Sequence, residues 1–301
     1  MNEAGLCIMN TASYNLREDS LDCPMDREGE MMYHVLGNCA NLSEFEAWLD
    51  TYPQPWGVEA NFGLIDAQGG AAYYEMNNHR WIKYDVNNEA NGYRVVINFS
   101  FAGRYEDYEG YERYLTASAI MSENFSHEKE MTAIDAINLF SRKYRHEVLG
   151  VNYYQENAPK YIIDQDYIPR RTTSASVVIE GVEPGEDPSL YIMWTEIGYP
   201  PCSYTLPVMM DYLPQELRPQ GKNWRSPLCT EIIAKKRQVF SKKRGSGKHY
   251  VDMNVVRKFS AEGKKKSQEN RIFTLYFHEK MQMNFLSLEM RRNWNCQRIC
   301  V

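Results

Sequence analysis

Seven cysteines are the first candidates for chemistry, because a thiolate is both a nucleophile and a metal ligand. They stand at positions 7, 23, 39, 202, 229, 296 and 300. No two of them form a CxxC pair, and the spacing of Cys296 and Cys300 is not completed by a neighbouring His or Cys into a zinc set. Cys7 sits in the apolar run GLCIM, a setting that raises a thiol pKa and makes core packing its expected role. Cys202, in YPPCSY, lies in loop-like sequence with no adjacent His and reads as structural. Arg244-Gly245-Ser246-Gly247-Lys248-His249 invites comparison with a phosphate-binding loop. It fails because Lys242 stands where the first Gly belongs and His249 where Ser or Thr would hold magnesium. It reads instead as a basic turn. The six histidines are scattered, and the acidic groups Glu106-Asp107-Glu109 and Asp164/Asp166 fall in loop-like sequence, where a solvated face is expected. No metal site and no cofactor is expected.

The elements that would carry such residues alternate between strands and helices. GLCIM, residues 5–9, reads as a buried strand, with Asn10 to Ser13 as its end or turn, and Arg17 to Glu30 as an acidic loop. NLSEFEAWLD starts a helix, with Ser43 and Glu46 at capping-box spacing. GVEANFGLID and AAYYEM flank Ala67-Gln68-Gly69-Gly70 and predict a hairpin. YRVVINFSF reads as a further strand ending at or just beyond Asn98, followed by a loop and a helix in YERYLTASAIM. Ile134, Ile137, Phe140, Tyr144 and Val148 share one face at steps of three and four, which predicts a helix over 132–148. Residues 174–181 and 190–194 read as a strand pair, and Ser226-Pro227 opens another helix with N-cap and N1 residues in order. Strands in hairpins and helices in blocks make the fold class α+β.

Composition bounds the function. The chain has 301 residues, 43% hydrophobic and 25% charged, enough for one large domain or two ordinary ones. No apolar run approaches the roughly 20 residues of a membrane helix, so no membrane span is expected. MNEAGLCIMN lacks the basic start and apolar stretch of a signal peptide. The chain as it stands therefore reads as cytoplasmic, and as secreted or periplasmic if a leader lies in a segment before Met1. Residues 1–221 carry 15 basic and 34 acidic residues, whereas 222–301 carry 19 and 6. No nucleic-acid motif accompanies the basic part, so pairing with the acidic body is favoured over nucleic-acid binding.

One set of segments resembles a known family. NEAGLCIMNTASYNL, NFGLIDAQGGAAYYE, RVVINFSFAG followed by YERYLTA, then TTSASVVIEGV, IMWTEIGYPPCSYTLPV and the 226–240 helix occur in the order found in N-terminal-nucleophile hydrolases of linear amides. These are the choloylglycine hydrolases, penicillin V acylases and the acyl-CoA:6-aminopenicillanic-acid acyltransferase-like peptidase C45 group, the last being the most similar. The likeness spans roughly residues 1–260. It implies an αββα sandwich with the first strands missing, over residues 1–262, followed by a basic segment, 263–301, of unassigned structure. It implies a small-molecule acyl amide or acyl-CoA-like substrate, and leaves a homo-oligomer open.

The resemblance also assigns roles. In the family an N-terminal Cys attacks an amide carbonyl, with its own α-amino group as base. Asn98 resembles the oxyanion-hole Asn, Arg113 the Arg beside the nucleophile, and Asn10 the Asn on the substrate side. Without the resemblance, Asn98 reads as a strand-end turn residue and Arg113 as a helix-surface Arg paired with Glu109 or Glu112. The nucleophile itself is absent: the family motif begins here at Asn2, so the resemblance implies an N-terminally truncated chain, inactive as written. The alternative is a non-catalytic ligand- or partner-binding module on the same scaffold.

Overall fold

The computed structural model describes residues 1–17, 25–105, 108–125, 131–153, 158–285 and 299–300. The chain is α+β and divides into two compact units, Met1–Lys129 with Gly181–Tyr191, and Glu130–Glu180 with Ile192–Ile299. Cys23, Cys296, His127, Glu106 and Asp107 lie outside the described residues.

The first unit is built on an antiparallel sheet of order β1-β2-β3-β4. Its strands are β1 (Cys7–Ala12), β2 (Ala60–Ile65), β3 (Ala71–Met76) and β4 (Trp81–Asp85). The predicted hairpin is β2–β3, closed by Asp66, whose carboxylate accepts from the Gln68 and Gly70 amides and, across to the first residue of the helix Leu42–Thr51, from Leu42 N–H. Residues 10–12 continue β1 rather than ending it, because Asn10, Thr11 and Ala12 stay in register with Phe62, Asn61 and Ala60. Even-numbered residues of β1 and β2 (Ile8, Ala60, Phe62, Leu64) join a core with helices α1 (Glu28–Asn38) and α2 (Leu42–Thr51), through Met31, Val35, Phe45 and Leu49. Helix α1 begins inside the segment expected as an acidic loop. Its apolar stripe is short, and Met31 and Val35 are its buried residues. Helix α2 caps two residues earlier than the spacing suggests: the N-cap is Asn41, whose side chain accepts from the Glu44 amide, while the Glu44 carboxylate accepts from the N–H of Ala40, one residue before the cap. The expected strand at 93–101 does not form: 93–97 belong to no regular element, 98–99 are a bend and 101 begins a turn. Side chains take its carbonyls in place of a neighbouring strand, as described below. Helix α3 (Tyr111–Asn124) follows.

The second unit starts with a single α turn, α4 (Ala133–Ala136), which widens into a π-helix over Ile137–Ser141. The helix expected to reach Val148 stops there. Arg142 is wholly buried, and Tyr144 points into the core just before the short strands β5 (Arg145–His146) and β6 (Val151–Asn152). Strand β7 (Tyr161–Ile162) pairs with β11 (Val251–Asp252). The predicted strand pair is β8 (Ala175–Glu180) and β9 (Ile192–Ile197), extended by β10 (Leu206–Val208). Helix α5 (Pro227–Val239) is capped by Ser226 as the sequence indicates. Helix α6 (Met253–Phe285) runs through residue 263, where the sequence changes character. Gly263 explains how α6 packs so closely: a Cβ there would stand 2.0 Å from the Ser203 carbonyl oxygen.

Candidate functional site

Asn98 and Arg113, 15 residues apart and in different local structures, meet. Arg113 Nη2 donates to Asn98 Oδ1 at 2.6 Å. Arg113 is not the surface residue its helical position suggests, since it is only 8% exposed. Its seat depends on Gly110, the N-cap of α3, which adopts φ +81°. A Cβ at that position would stand 2.3 Å from the guanidinium, so the helix start is shaped to let the side chain fold back over it.

The Asn98 amide nitrogen donates to Thr11 Oγ1 at 3.2 Å and to the Ala12 carbonyl at 3.1 Å. Asn98 therefore links Arg113 to the end of β1, with both amide hydrogens engaged by long, loose bonds.

Three side chains, two from the sheet and one from just past β1, hold the loop that carries Asn98. Asn61, on β2, donates to the carbonyls of Ile97 at 3.0 Å and Phe99 at 2.9 Å, the two residues flanking Asn98. Its oxygen accepts from Ser100 Oγ at 2.5 Å. Glu75, on β3, accepts from the Phe101 and Ala102 amides at 2.6 and 2.8 Å. Asn15, just past β1, accepts from Ser100 N–H at 2.8 Å and donates to the Ser100 carbonyl at 2.9 Å. All three are buried. Together they supply the partners that a paired strand would have supplied to 97–102. Neither Asn61, Glu75 nor Asn15 is singled out by sequence reasoning. The usable signal is a single polar residue within each of the apolar strands ANFGLI and AAYYEM: a buried polar group in such a run must have an assigned partner.

Asn10 does not join this cluster through its side chain. Successive strand residues face opposite sides, so Asn10 shares the side of Ile8 and Phe62 while Thr11 faces Asn98. The Asn10 side chain is exposed.

Aromatic rings wall the loop. Phe99 stacks on Tyr108 at 4.3 Å, Phe101 meets Tyr114 edge-on at 5.7 Å, and Arg94 lies 3.7 Å over Tyr84. Phe101, Tyr105 and Tyr111 remain exposed. A separate groove of about 640 Å³, lined by Tyr52, Gln54, Trp56, Arg80 and Trp81 among others, includes none of Asn10, Asn98 and Arg113.

Cys7, Cys39 and Cys202 are buried, and Cys229, in the first turn of α5, is half-buried and well apart in sequence from Asn98 and Arg113. Cys7 is 1% exposed in β1. Burial pushes the Cys202 thiol up to about 12 and the Cys39 thiol up to about 11, far from the thiolate range. No group of three or more His, Cys, Asp or Glu arranged to hold a metal exists among the described residues, and no described helix is long and apolar enough to cross a membrane. The Arg244–His249 segment is a basic turn, closed by Arg244 N–H on the Lys248 carbonyl at 2.7 Å. No family model matches the chain, and no curated protein matches it.

Proposed function

We propose that this chain is the scaffold of a cysteine-nucleophile linear amide hydrolase or acyltransferase, of the αββα N-terminal-nucleophile type, whose thiol is supplied by a segment outside the 301 residues. The observation that carries the reading is the Arg113–Asn98 hydrogen bond at the end of β1. The two residues that the family resemblance singles out, one in a loop and one in a helix, are in contact.

The chemistry follows from the groups present. A thiolate placed beside Arg113 is favoured by the guanidinium charge. It adds to the amide carbonyl, and the developing oxyanion takes a hydrogen bond from Asn98 Nδ2. The C–N bond breaks as the amine leaves with a proton, giving an acyl-enzyme that water or an acceptor amine resolves. Asn10 lies on the substrate side. The substrate is a small acyl amide or an acyl-CoA-like donor, and the exposed rings of Phe101, Tyr105 and Tyr111 offer an apolar wall for it.

The test is titration with a thiol-reactive acylating probe, on the 301-residue chain and on a chain extended upstream to the first cysteine. Stoichiometric acylation of the extended chain, abolished by Asn98→Ala, is expected. Labelling of Cys7 together with amide cleavage by the 301-residue chain sinks the assignment of the nucleophile.

A second reading is a non-catalytic module that binds a ligand or partner on the same scaffold. The engagement of both Asn98 amide hydrogens favours it. It expects no acylation of the extended chain under any condition.

A further inference from the structure

The basic part of the sequence forms two different surfaces in the fold. On helices α5 and α6 cations are answered close by: Lys235 lies 2.8 Å from Glu231 and 3.6 Å from Glu262, and Lys266 lies 3.9 Å from Glu231. Between the two helices the chain turns back on itself in a small hairpin. Tyr250 N–H donates to the Lys242 carbonyl at 2.9 Å, Arg244 N–H donates to the Lys248 carbonyl at 2.7 Å, and Lys243 bridges His249. Residues 238–251 hold Lys242, Lys243, Arg244 and Lys248 and no Asp or Glu. Among the described residues no carboxylate forms an ion pair with any of these four, or with Lys160.

Opposite residues of an antiparallel pair share a face, and faces alternate along each strand. Lys242, Arg244, Lys248 and Tyr250 therefore stand on one face of the hairpin, and Lys243 and His249 on the other. The Arg244 guanidinium lies 5.7 Å from the centre of the Tyr250 ring, as that placement requires. The chain runs on into β11, which pairs with β7 so that Tyr161 stands opposite Asp252, on the same face as Tyr250. The two rings are 6.2 Å apart, and Lys160 Nζ lies 5.1 Å from the centre of the Tyr161 ring. Four cations and two rings thus share one outer surface. Lys160, Tyr161, Lys242 and Lys248 are exposed, and Arg244 and Tyr250 are half-buried. Asp252 is buried, and its carboxylate is occupied by the amides of Asn254 and Val255 at the start of α6.

We propose that this face binds single-stranded nucleic acid. Such a strand brings what the face lacks on both counts: phosphates at regular intervals for the cations, and flat bases to lie against an open ring. Other anionic occupants match only part of it. A small anion is held by a pocket, and these cations are spread over an exposed hairpin. A lipid surface is entered by apolar side chains, and the tip of this hairpin is Gly245-Ser246-Gly247. An acidic peptide, of this chain or another, answers the cations but brings no ring system to Tyr161, which is 39% exposed. The surface belongs to the second unit, and nothing in its assignment rests on the acyl-transfer reading.

The experiment uses the full 301-residue chain and a fluorescein-labelled twelve-nucleotide oligo(dT), followed by anisotropy. On single strands each neutralised phosphate contributes about −0.7 to the slope of log affinity against log salt. Four cations therefore predict a slope of about −3, and a loss of roughly 50-fold between about 50 and 200 mM salt. The triple variant Lys242→Gln/Arg244→Gln/Lys248→Gln should bind at least tenfold more weakly at low salt, with the slope reduced to about −0.7. Tyr161→Ala should weaken binding at least fivefold with the slope unchanged, since stacking carries no charge. Lys243→Gln, on the other face, should cost less than Lys242→Gln. An unchanged circular dichroism spectrum shows that each variant is folded. Four results overturn the proposal: no binding at low salt, which is also what an acidic segment of this chain already lying on the face gives; equal binding of a twelve-residue poly-Glu peptide or of phosphatidylserine vesicles; an affinity unmoved by the triple variant or by Tyr161→Ala; or Lys243→Gln matching Lys242→Gln.

Discussion

Each unit fastens a segment to its sheet with buried polar groups, and the two do it with different chemistry. In the first unit, Asn61, Asn15 and Ser100 are neutral, and Glu75 spreads its charge over two backbone amides. In the second, Arg142 Nη2 binds Glu196 Oε1, both side chains fully buried, with Ser267 Oγ and Thr205 Oγ1 as further partners. Arg142 Nε and Glu196 Oε2 have no hydrogen-bond partner among the described residues. Taking charges out of water carries a penalty that attraction offsets only when geometry and extra hydrogen bonds are good. The neutral network therefore places a loop at modest cost in stability, whereas the ionic one links the segment after the π-helix to β9, to Thr205 just before β10 and to α6, and leaves a buried charge uncompensated if either partner is lost.

Removing one partner of the ion pair is the sharpest way to separate the two regions. Glu196→Ala leaves the Arg142 guanidinium buried and unpaired, and should cost about 3–5 kcal/mol, read by denaturant unfolding. The double variant Arg142→Met/Glu196→Leu should recover most of that. A single variant losing less than about 1 kcal/mol would mean that the pair behaves as a surface one and that the contrast fails. Asn61→Ala is next in size. It strips the donors from the Ile97 and Phe99 carbonyls and the acceptor from Ser100, at about 1–3 kcal/mol for each group left buried and unmet, less whatever relaxation returns. The loss should be local: hydrogen exchange accelerates over 97–102 while the second unit's amides are unchanged. Acceleration spread over both units would contradict a self-contained network.

How far this division was legible in the sequence depends on the kind of signal. The β2–β3 hairpin and the β8–β9 pair were readable, because apolar runs between turn residues are local patterns. Helix α5 was readable from Ser226-Pro227. Helix α1 was hidden by its charged first turn, and the π-helix by a periodicity that continues past it to Val148. The Asn98–Arg113 contact was reachable through family resemblance alone, since nothing local makes Arg113 anything but a helix-surface Arg. The side chains that seat the loop, Asn61 and Glu75, act 14 residues apart on neighbouring strands, and their partners lie 25 residues and more downstream. No local period marks such pairs. Glu196 is the same case: a lone acid in IMWTEI, whose partner lies 54 residues upstream.

Titration offers a smaller effect on the same contrast. Burial raises the Glu196 pKa, with the Arg142 charge and the hydrogen bonds from Arg142 and Thr205 opposing it. A folded pKa above the unfolded one, about 4.3, means that the native state binds the proton more tightly. The associated stability is present below the unfolded value and is lost as pH rises through the folded one, by at most about 1.4 kcal/mol per pH unit for one proton. Stability of the second unit should fall on the alkaline side of pH 4.3, and the Glu196→Gln chain should lack that limb. An unchanged profile in the variant would assign the limb to another group.

The change at the start of α3 is the most informative about the site. Gly110→Ala places a side chain at φ +81°, a conformation that costs an L residue about 1–2 kcal/mol. Its Cβ also falls where the Arg113 guanidinium lies. If the neutral network seats Asn98 on its own, Gly110→Ala should loosen Arg113 yet leave slow exchange at Phe99, Ser100 and Phe101 intact, because Asn61, Asn15 and Glu75 do not touch Gly110. If exchange at those amides rises together with the loss of the Arg113 contact, the guanidinium is itself a support of the loop. The first unit then resembles the second more closely than its neutral partners suggest, since in both a buried arginine would hold a segment that the sheet alone does not.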